Sequence, residues 1–368
     1  MKKVMIVFGT RPEAVKLCPL IIELKKREQV EVIVVLTGQH RQLLYPVLDT
    51  FGILPDKDLS IMQDDQTLFD ITVFVLDKMK DLLDSIRPDI VLVHGDTSSA
   101  FAASLACYYL RIPVAHVEAG LRTYNVYAPY PEEFNRQALD IICQYHFAPT
   151  ETTKCNLINE GHNPDRIWVT GNTVVDAMRS TVSADYTHRE LEWASDSKMV
   201  LITAHRRENL DYPMHSMFKA VRRVLDEHKD VKAVFPIHMN PSVRRTAEEE
   251  FSGCEKIHII EPLDVAGFHN FESRCWLCLT DSGGIQEECV SIGKPVLLMR
   301  ETTERPEGIE IGTIKLVGTD EERIYDCFSR LLDDPAAYNT MLKSSDVYGD
   351  GHASELITDI LLQEILNE

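Results

Sequence analysis

Short apolar runs recur along the chain, separated by turn residues and by segments of helical length. In the first half, the runs typical of buried strands lie at residues 3–8, 31–36, 90–93, 114–117, 145–148 and 167–169. Strands that alternate with helices form a mostly parallel sheet covered on both faces. The pattern therefore predicts a doubly wound α/β domain in this half.

The alternation begins again after a polar stretch at residues 183–198. The second set of predicted strands lies at residues 199–203, 232–235, 257–260, 275–279, 295–299 and 313–317. Two doubly wound, Rossmann-like domains in tandem, facing each other across a cleft, explain this repetition most simply. A helical periodicity at residues 353–366 is compatible with packing on either domain.

The composition agrees with two domains and narrows the range of partners. A chain of 368 residues with 44% hydrophobic and 26% charged residues is typical of a globular protein with more than one core. The formal net charge of -20 argues against a broad surface for nucleic acid or for anionic membranes. No run approaches the roughly 20 apolar residues of a membrane span, and no leader is recognised, so we expect a cytoplasmic protein.

The nine cysteines are expected to be reduced. Cys275 and Cys278 form a CxxC pair, but a strand across both residues would turn them to opposite faces of a sheet. No second CxxC completes a zinc site. We therefore predict buried thiols and no metal site.

Charged side chains follow the first predicted strand, where ligands of parallel sheets gather. Arg11 lies in the turn after this strand, Pro12 suits a helix start, and Lys16 comes one turn later. The G-x-G-x-x-G fingerprint of dinucleotide binding is missing from this turn, which disfavours NAD.

Acidic residues follow two later strands of the first half. Asp96 and Glu118 come directly after strands, and Glu132 begins a further polar segment. A structural interpretation would make Asp96 a helix cap and Glu118 a partner of Arg122. A metal interpretation is also open, because His94 with Asp96 and His116 with Glu118 are each spaced to share a strand face.

The second half combines basic strand ends with a glycine turn. His205 follows its first strand, and the run from Thr280 to Glu288 reads as a strand, a Ser-Gly-Gly turn and a helix. Such a turn directs backbone N–H groups and a helix dipole at an anion, with Ser282 as a predicted cap. Arginines after the following strand would complete a diphosphate site. Alternatively Arg300, Glu301, Glu304 and Arg305 form a surface ion-pair network.

In these motifs the chain resembles the non-hydrolysing UDP-N-acetylglucosamine 2-epimerases, which have the two-domain fold of GT-B glycosyltransferases. The resemblance covers essentially the whole chain and rests on Phe8-Gly9-Thr10-Arg11-Pro12-Glu13, His94-Gly95-Asp96-Thr97, Val117-Glu118-Ala119-Gly120-Leu121-Arg122, Pro131-Glu132-Glu133, His205-Arg206-Arg207-Glu208, Asp281-Ser282-Gly283-Gly284 and Thr303-Glu304-Arg305-Pro306. It implies interconversion of UDP-N-acetylglucosamine and UDP-N-acetylmannosamine without a cofactor.

The resemblance also implies roles for individual residues. The acid/base residues would be Asp96, Glu118, Glu132 and His205, of which Asp96, Glu118 and His205 would also contact the substrate. The remaining UDP-sugar contacts would be Arg11, Lys16, Phe268, Ser282, Gly283, Gly284, Glu288 and Arg305, with Glu288 on the ribose hydroxyls. It implies an acid/base domain at residues 1–172 and 350–368, and a UDP-binding domain at residues 173–349.

Some members of this family bind a second UDP-N-acetylglucosamine as an activator. The matching positions here are Gln39, Gln42, Glu133, Arg207 and His238. Asp65 stands where those members carry an arginine, which weighs against activation, and Leu263 replaces a polar residue found near the nucleotide in some relatives. The resemblance further implies a homodimer.

Three other functions are compatible with the same motifs. A hydrolysing epimerase would release free N-acetylmannosamine, and a GT-B glycosyltransferase would need an acceptor. A sensor would bind the nucleotide sugar without turnover. An acidic rim facing an anionic ligand argues against a sensor, because it weakens binding unless it moves protons.

Overall fold

The structure, a computed structural model, describes residues 1–39, 41–63 and 66–366, apart from the side chains of residues 41–43, 207 and 365. The chain divides into two compact units: the first contains Met1–Arg179 and Tyr348–Glu368, and the second contains Ser180–Val347. Each unit holds one parallel sheet with helices between its strands. The predicted class, two doubly wound α/β domains, is confirmed.

The first unit is built on seven parallel strands. They are β1 Lys2–Phe8, β2 Val30–Leu36, β3 Lys57–Asp58, β4 Ile90–His94, β5 Val114–Val117, β6 Tyr145–Ala148 and β7 Ile167–Val169. Their helices are α1 Arg11–Lys25, α2 Arg41–Phe51, α3 Leu68–Ile86, α4 Ser98–Tyr109, α5 Glu132–Ile142, α6 Glu151–Asn159 and α7 Thr173–Thr181. The strand order is β3-β2-β1-β4-β5-β6-β7.

The second unit has six parallel strands in the order β10-β9-β8-β11-β12-β13. They are β8 Lys198–Thr203, β9 Val231–Pro236, β10 Ile257–Ile260, β11 Leu277–Thr280, β12 Val296–Leu298 and β13 Ile314–Leu316. The helices are α8 Arg189–Trp193, α9 Tyr212–Glu227, α10 Pro241–Phe251, α11 Val265–Arg274, α12 Gly284–Ser291, α13 Glu307–Ile311, α14 Glu321–Asp333 and α15 Pro335–Met341.

Both sheets reverse their strand order once, which determines where a ligand can bind. In the first unit the chain leaves β1 in one direction to β2 and β3, then returns to place β4 on the other side of β1. The second unit does the same at β8 and β11. Ligands of open parallel sheets bind outside the carboxyl ends of the strands at such a switch point. The turns after β1, β4, β8 and β11 are therefore the places to look for a site.

The predicted strands lie within one or two residues of the observed ones, with three differences. The short edge strand β3 carries too few apolar residues to be recognised from the sequence. The five-residue helix α8 also carries too few, and it lies inside the stretch predicted to be a polar connection. Residues 275 and 276 precede β11 rather than belonging to it, because α11 continues to Arg274 and Cys275 caps it. The argument that a strand separates the two cysteines is therefore wrong.

The last helix, α16 Ala353–Ile360, packs on α1 within the first unit and continues into a π-helical turn at Leu361–Ile365. Its amino end is held by a side chain from α7. The Asp176 carboxylate accepts hydrogen bonds from the backbone N–H groups of Ala353, at 3.2 Å, and Ser354, at 2.7 Å. Among the described residues, no helix is both long and apolar enough to cross a membrane.

Asp176→Asn is expected to loosen α16. The change removes a negative charge and one acceptor from the helix N-terminus, at a cost of about 1–2 kcal/mol. Amide hydrogen exchange should accelerate across residues 353–360, while Asp165→Asn, an exposed carboxylate of the same unit, should leave it unchanged. Equal exchange in the two variants would contradict this role of Asp176.

Candidate active site

The turn after β1 is organised by the buried carboxylate of Glu13. Its Oε2 accepts hydrogen bonds from the backbone N–H groups of Gly9, at 3.0 Å, and Thr10, at 2.8 Å. Its Oε1 accepts one from the Thr97 hydroxyl at 2.8 Å, which ties this turn to the turn after β4. Burial raises the pKa of Glu13, although these hydrogen bonds oppose the rise. Glu13 belongs to one of the sequence motifs, but the sequence predicted no role for it.

Asp96 follows β4 and is held from α5. Its carboxylate forms an ion pair with Arg136 at 2.8 Å, and its backbone carbonyl accepts a hydrogen bond from Asn135 at 2.9 Å. The N-cap of α4 is Thr97, whose hydroxyl accepts from the Ala100 N–H. The interpretation of Asp96 as the helix cap is therefore wrong, and its partly exposed carboxylate stands at the carboxyl edge of the sheet.

Glu118 follows β5 and is almost fully buried. Its Oε2 accepts hydrogen bonds from the Lys16 ammonium group and, at 2.6 Å, from the Asn172 amide. Arg122, the partner proposed from spacing, instead pairs with Asp140 and Glu160, at 2.6 Å each. The fold thus places Lys16 and Glu118, both predicted site residues, in direct contact.

His116 is part of the support beneath these loops. Its Nδ1 lies 2.6 Å from an Asp140 carboxylate oxygen, and its Nε2 lies 2.7 Å from the Gly95 carbonyl oxygen. Burial raises the pKa of Asp140, but His116 and Arg122 outweigh this effect and hold the pKa well below its usual range. Because both ring nitrogens of His116 are engaged, the ring positions the residue before Asp96 rather than offering a metal ligand.

The remaining predicted residues of the first unit lie near the start of helices. Arg11 is the first residue of α1, next to its N-cap Thr10, and Glu132 is the first residue of α5; both are half-buried. Glu133 is fully buried and accepts hydrogen bonds from the Thr123 and Tyr124 N–H groups at 3.0 and 2.9 Å.

Several residues of the predicted activator site are described only in part. Gln39 lies in the turn after β2, and its Oε1 is buried without a hydrogen-bond partner. The side chains of Gln42 and Arg207, and the whole of Asp65, lie outside the described residues. The activator site therefore stays a prediction.

In the second unit, a buried carboxylate holds the loop that carries His205. Asp281 accepts hydrogen bonds from the backbone N–H groups of His205, at 3.0 Å, and Arg206, at 2.9 Å, and from the Asn209 amide at 3.1 Å. The His205 ring is partly exposed and stacks on His238, with ring centroids 5.2 Å apart. Asp281 therefore joins the turn after β8 to the turn after β11.

The Ser-Gly-Gly turn follows β11 and opens α12. The N-cap is Gly283, and no side chain caps it, so the predicted capping by Ser282 is wrong: the Ser282 N–H donates to the Thr280 hydroxyl at 2.9 Å. Gly283 is required for close approach. A Cβ added there would lie 2.8 Å from the Arg305 guanidinium.

Arg305 and its neighbours form a buried network, not the surface network considered from the sequence. Arg305 donates to Glu287 at 2.8 Å and to Glu304, and Glu304 also accepts from Arg300 at 3.1 Å. Glu301, by contrast, is exposed and contacts Thr319. The arginines are thus held in fixed positions beside the glycine turn.

Phe268 and Glu288 complete the predicted nucleotide contacts. Phe268 is half-buried on α11, and Glu288 is largely buried on α12. One ligand-type atom of Glu288 lies within 4.8 Å of one from Glu272, a fully buried residue of α11 that sequence reasoning missed. Cys275 and Cys278 are buried free thiols, and burial raises the pKa of Cys275 well above its usual value.

The whole chain is similar to known proteins of one family. The family model described as UDP-N-acetylglucosamine 2-epimerase matches residues 22–362. A Bacillus subtilis UDP-N-acetylglucosamine 2-epimerase is 54% identical over 360 residues, covering 98% of this chain and 95% of the relative. A structure of S. aureus MnaA with UDP has a TM-score of 0.96 at 47% identity and covers 100% of this chain and 97% of that one. A structure of a Neisseria meningitidis UDP-GlcNAc 2-epimerase bound to UDP-GlcNAc has a TM-score of 0.94 at 43% identity. The match covers 98% of this chain and 100% of that one.

Lys16→Met is expected to destabilise the first unit by about 3–5 kcal/mol, because it leaves the buried Glu118 carboxylate without a cation. Glu118→Gln should recover part of that loss in the Lys16→Met background, which a double-mutant cycle measures. Of the three tryptophans, Trp168 lies in this unit, and Trp193 and Trp276 lie in the other. In a Trp193→Phe, Trp276→Phe background, the fluorescence of Trp168 therefore reports denaturant unfolding of the first unit. Additive effects of the two changes would argue against the ion pair.

Asp281→Asn is expected to destabilise the second unit by about 2–3 kcal/mol, because an amide NH₂ would face backbone donors and leave them unsatisfied. Unfolding followed through Trp193 and Trp276 in a Trp168→Phe background measures this. Asp326→Asn, an exposed change on α14, is the matched control. If both variants unfold alike, Asp281 does not hold the His205 loop.

Proposed function

This chain belongs to the UDP-N-acetylglucosamine 2-epimerase family, and we propose that it interconverts UDP-N-acetylglucosamine and UDP-N-acetylmannosamine by eliminating and re-adding UDP. Such a reaction inverts C2 without releasing free sugar. The 2-epimerase activity of the relatives supports the C2 epimerisation.

The chemistry explains why both a base and a leaving-group site are needed. The C2 hydrogen of the sugar is not next to a ring carbonyl, so its removal cannot form a stable enolate. Loss of the C2 proton is therefore coupled to cleavage of the bond between C1 and the UDP oxygen. The C–H electron pair forms a C1–C2 double bond, UDP leaves with the C1–O pair, and a glycal results. Re-addition of UDP with protonation from the other face gives the epimer, with no change of oxidation state.

Asp96 and Glu118 carry this proposal, because they stand after neighbouring parallel strands and each is paired with a cation. Arg136 lies beside Asp96, and Lys16 lies beside Glu118. A nearby cation stabilises the ionised carboxylate, which is the form that accepts a proton. We assign the two carboxylates to proton transfer at C2, with Glu132 in support and His205 handling protons or charge.

The glycine turn of the second unit is the proposed site for the leaving group. Backbone N–H groups at the start of α12 and the guanidinium of Arg305 would stabilise the charge that develops on the diphosphate. Arg305 is already held beside Gly283 by Glu287 and Glu304, so little reorganisation is needed when UDP departs.

One experiment separates this function from its rivals: NMR of UDP-N-acetylglucosamine with the protein in heavy water. We expect UDP-N-acetylmannosamine to accumulate with deuterium at C2 and without free sugar. Stoichiometric free N-acetylmannosamine would identify a hydrolysing epimerase. Absence of both deuteration and product would leave a transferase or a sensor.

Asp96→Asn and Glu118→Gln are expected to lower C2 deuteration by at least about a hundredfold, the usual contribution of a proton-transfer group. UDP binding, measured by calorimetry, should weaken only a few-fold, because neither amide removes the glycine turn. Asp89→Asn, an exposed carboxylate directly before β4, is the control for loss of a carboxylate in the same unit. Unchanged deuteration in either site variant would exclude that residue as the base.

A further inference from the structure

Asn172, directly before α7, uses both ends of its side-chain amide. Its amide nitrogen donates a hydrogen bond to Glu118 Oε2 at 2.6 Å, and its Oδ1 accepts one from the Val174 N–H at 3.0 Å. The residue is 3% exposed, so these contacts are shielded from bulk water. Sequence reasoning assigned no role to Asn172, although it contacts a predicted acid/base residue.

We propose that Asn172 is a positioning residue for proton transfer: its amide NH₂ group holds the Glu118 carboxylate in the orientation in which that group accepts the C2 proton. This inference rests on the proposed function, in which Glu118 transfers a proton. Asn172 acts through Glu118 and does not need to contact the sugar.

The orientation of the Asn172 amide follows from its two partners. The Val174 N–H is a donor and requires the amide oxygen, and the Glu118 carboxylate oxygen requires the NH₂ group. A rotated amide would place its oxygen against a carboxylate and its hydrogens against another donor, so both contacts would be lost. The contact with Val174 therefore fixes the direction of the donor to Glu118.

The backbone around Asn172 is fixed as well. The first unit is formed by two stretches of chain, and they meet here, because the Asn172 N–H donates to the Tyr348 carbonyl oxygen at 2.7 Å. Gly171 and Gly349 have φ values of 80° and 97°, and a Cβ added to Gly171 would lie 2.8 Å from the Gly349 Cα. Glycine is required for such a close approach. The donor to Glu118 therefore projects from a rigid support.

Two donors act on the same oxygen of Glu118. Lys16 and Asn172 both donate to Oε2. An ammonium group is a compact charge that can rotate its donors, whereas a fixed amide sets a direction. A Cβ added to Gly95 would lie 3.7 Å from Glu118 Oε1, so this second oxygen is on the side of the turn that carries Asp96. Asn172 thus determines which way the pair of carboxylate oxygens points.

The alternative is that Asn172 only caps α7. Asparagine is a favourable residue directly before a helix, and the contact with Val174 is of the capping kind. Aspartate and serine cap helices as well as asparagine does, but neither carries an amide donor. The two roles therefore predict opposite results for these substitutions. A cap tolerates them, and a donor to Glu118 does not.

The first test is the pH dependence of C2 deuteration for the wild type and Asn172→Asp. The introduced carboxyl group keeps the cap but lies against the Glu118 carboxylate, and two adjacent carboxylates ionise together only at a high cost. While the pair shares a proton, that proton can replace the amide donor; once it is lost, repulsion displaces Glu118. The rate of Asn172→Asp relative to wild type should therefore fall at least about tenfold between about pH 6 and about pH 9. A constant ratio would overturn the proposal.

Other titratable groups also face Glu118, and the comparison accounts for them. Lys16 on α1 contacts its Oε2, and the Nε2 of His94 on β4 lies 3.9 Å from the same atom. Both are present in variant and wild type, so the ratio of rates removes their own titration. Asn159→Asp, at the exposed end of α6, adds the same charge elsewhere in the unit and should follow the wild type at every pH. The same fall in this control would attribute the effect to net charge and overturn the proposal.

The second test uses Asn172→Ser, which keeps a capping hydroxyl but is too short to replace the amide at Glu118. C2 deuteration should slow by about tenfold, the effect of losing one hydrogen bond to a charged group. UDP affinity by calorimetry and amide hydrogen exchange across α7 should stay close to wild type, because the glycine turn and the cap are unchanged. An unchanged deuteration rate would overturn the proposal, and so would a slower rate accompanied by faster exchange across α7.

The two proposals fail differently. If the wild-type protein does not deuterate C2, the proposed function is wrong. If it does and the Asn172 variants match it in rate and pH dependence, only the positioning role of Asn172 is wrong.

Discussion

The requirement that a buried charge have a partner determines how the loops at the carboxyl edges of both sheets are built. Lys16 and Glu118 are buried together, so the helix after β1 and the loop after β5 cannot move independently. Asp281 satisfies backbone donors of the neighbouring His205 loop. Removing one partner leaves a buried charge or donor unsatisfied, and this costs more free energy than forming the contact provides. The loops are therefore held in place by the penalty of separating them.

The same pairing reconciles an acidic protein with an anionic ligand. A formal charge of -20 repels a nucleotide at long range, so attraction must come from a few local donors. Arg305 is the proposed donor, and Glu287 and Glu304 already occupy part of its guanidinium. These carboxylates reduce its net attraction for a diphosphate while holding it in position. For the proposed leaving group, which would depart and return in every cycle, a rigid donor of moderate strength is more useful than a free cation with high ground-state affinity.

The strands could be predicted because buried parallel strands read as continuous apolar runs, and the candidate site because ligands follow strand ends at a switch point. Partners could not be predicted in the same way. Spacing paired Glu118 with Arg122, whereas the fold supplies Lys16 from α1. Spacing also made Asp96 a cap, whereas Thr97 takes that position. Glu272 had no sequence signal, because a lone glutamate in a helix is normally solvated and only tertiary packing buries it near Glu288.

Glu118 shows how the fold maintains an unfavourable conformation at a residue proposed to transfer protons. Its φ of 69° is in the left-handed region, which costs a non-glycine residue roughly 1–2 kcal/mol. The flanking chain enforces this conformation: the Ala119 N–H donates to the Phe147 carbonyl at 3.1 Å, and a Cβ on Gly120 would lie 2.3 Å from the Thr153 carbonyl oxygen. In this conformation the Glu118 carboxylate contacts Lys16. Strain of this size persists only where surrounding contacts outweigh it, and here those contacts also determine the partner of the carboxylate.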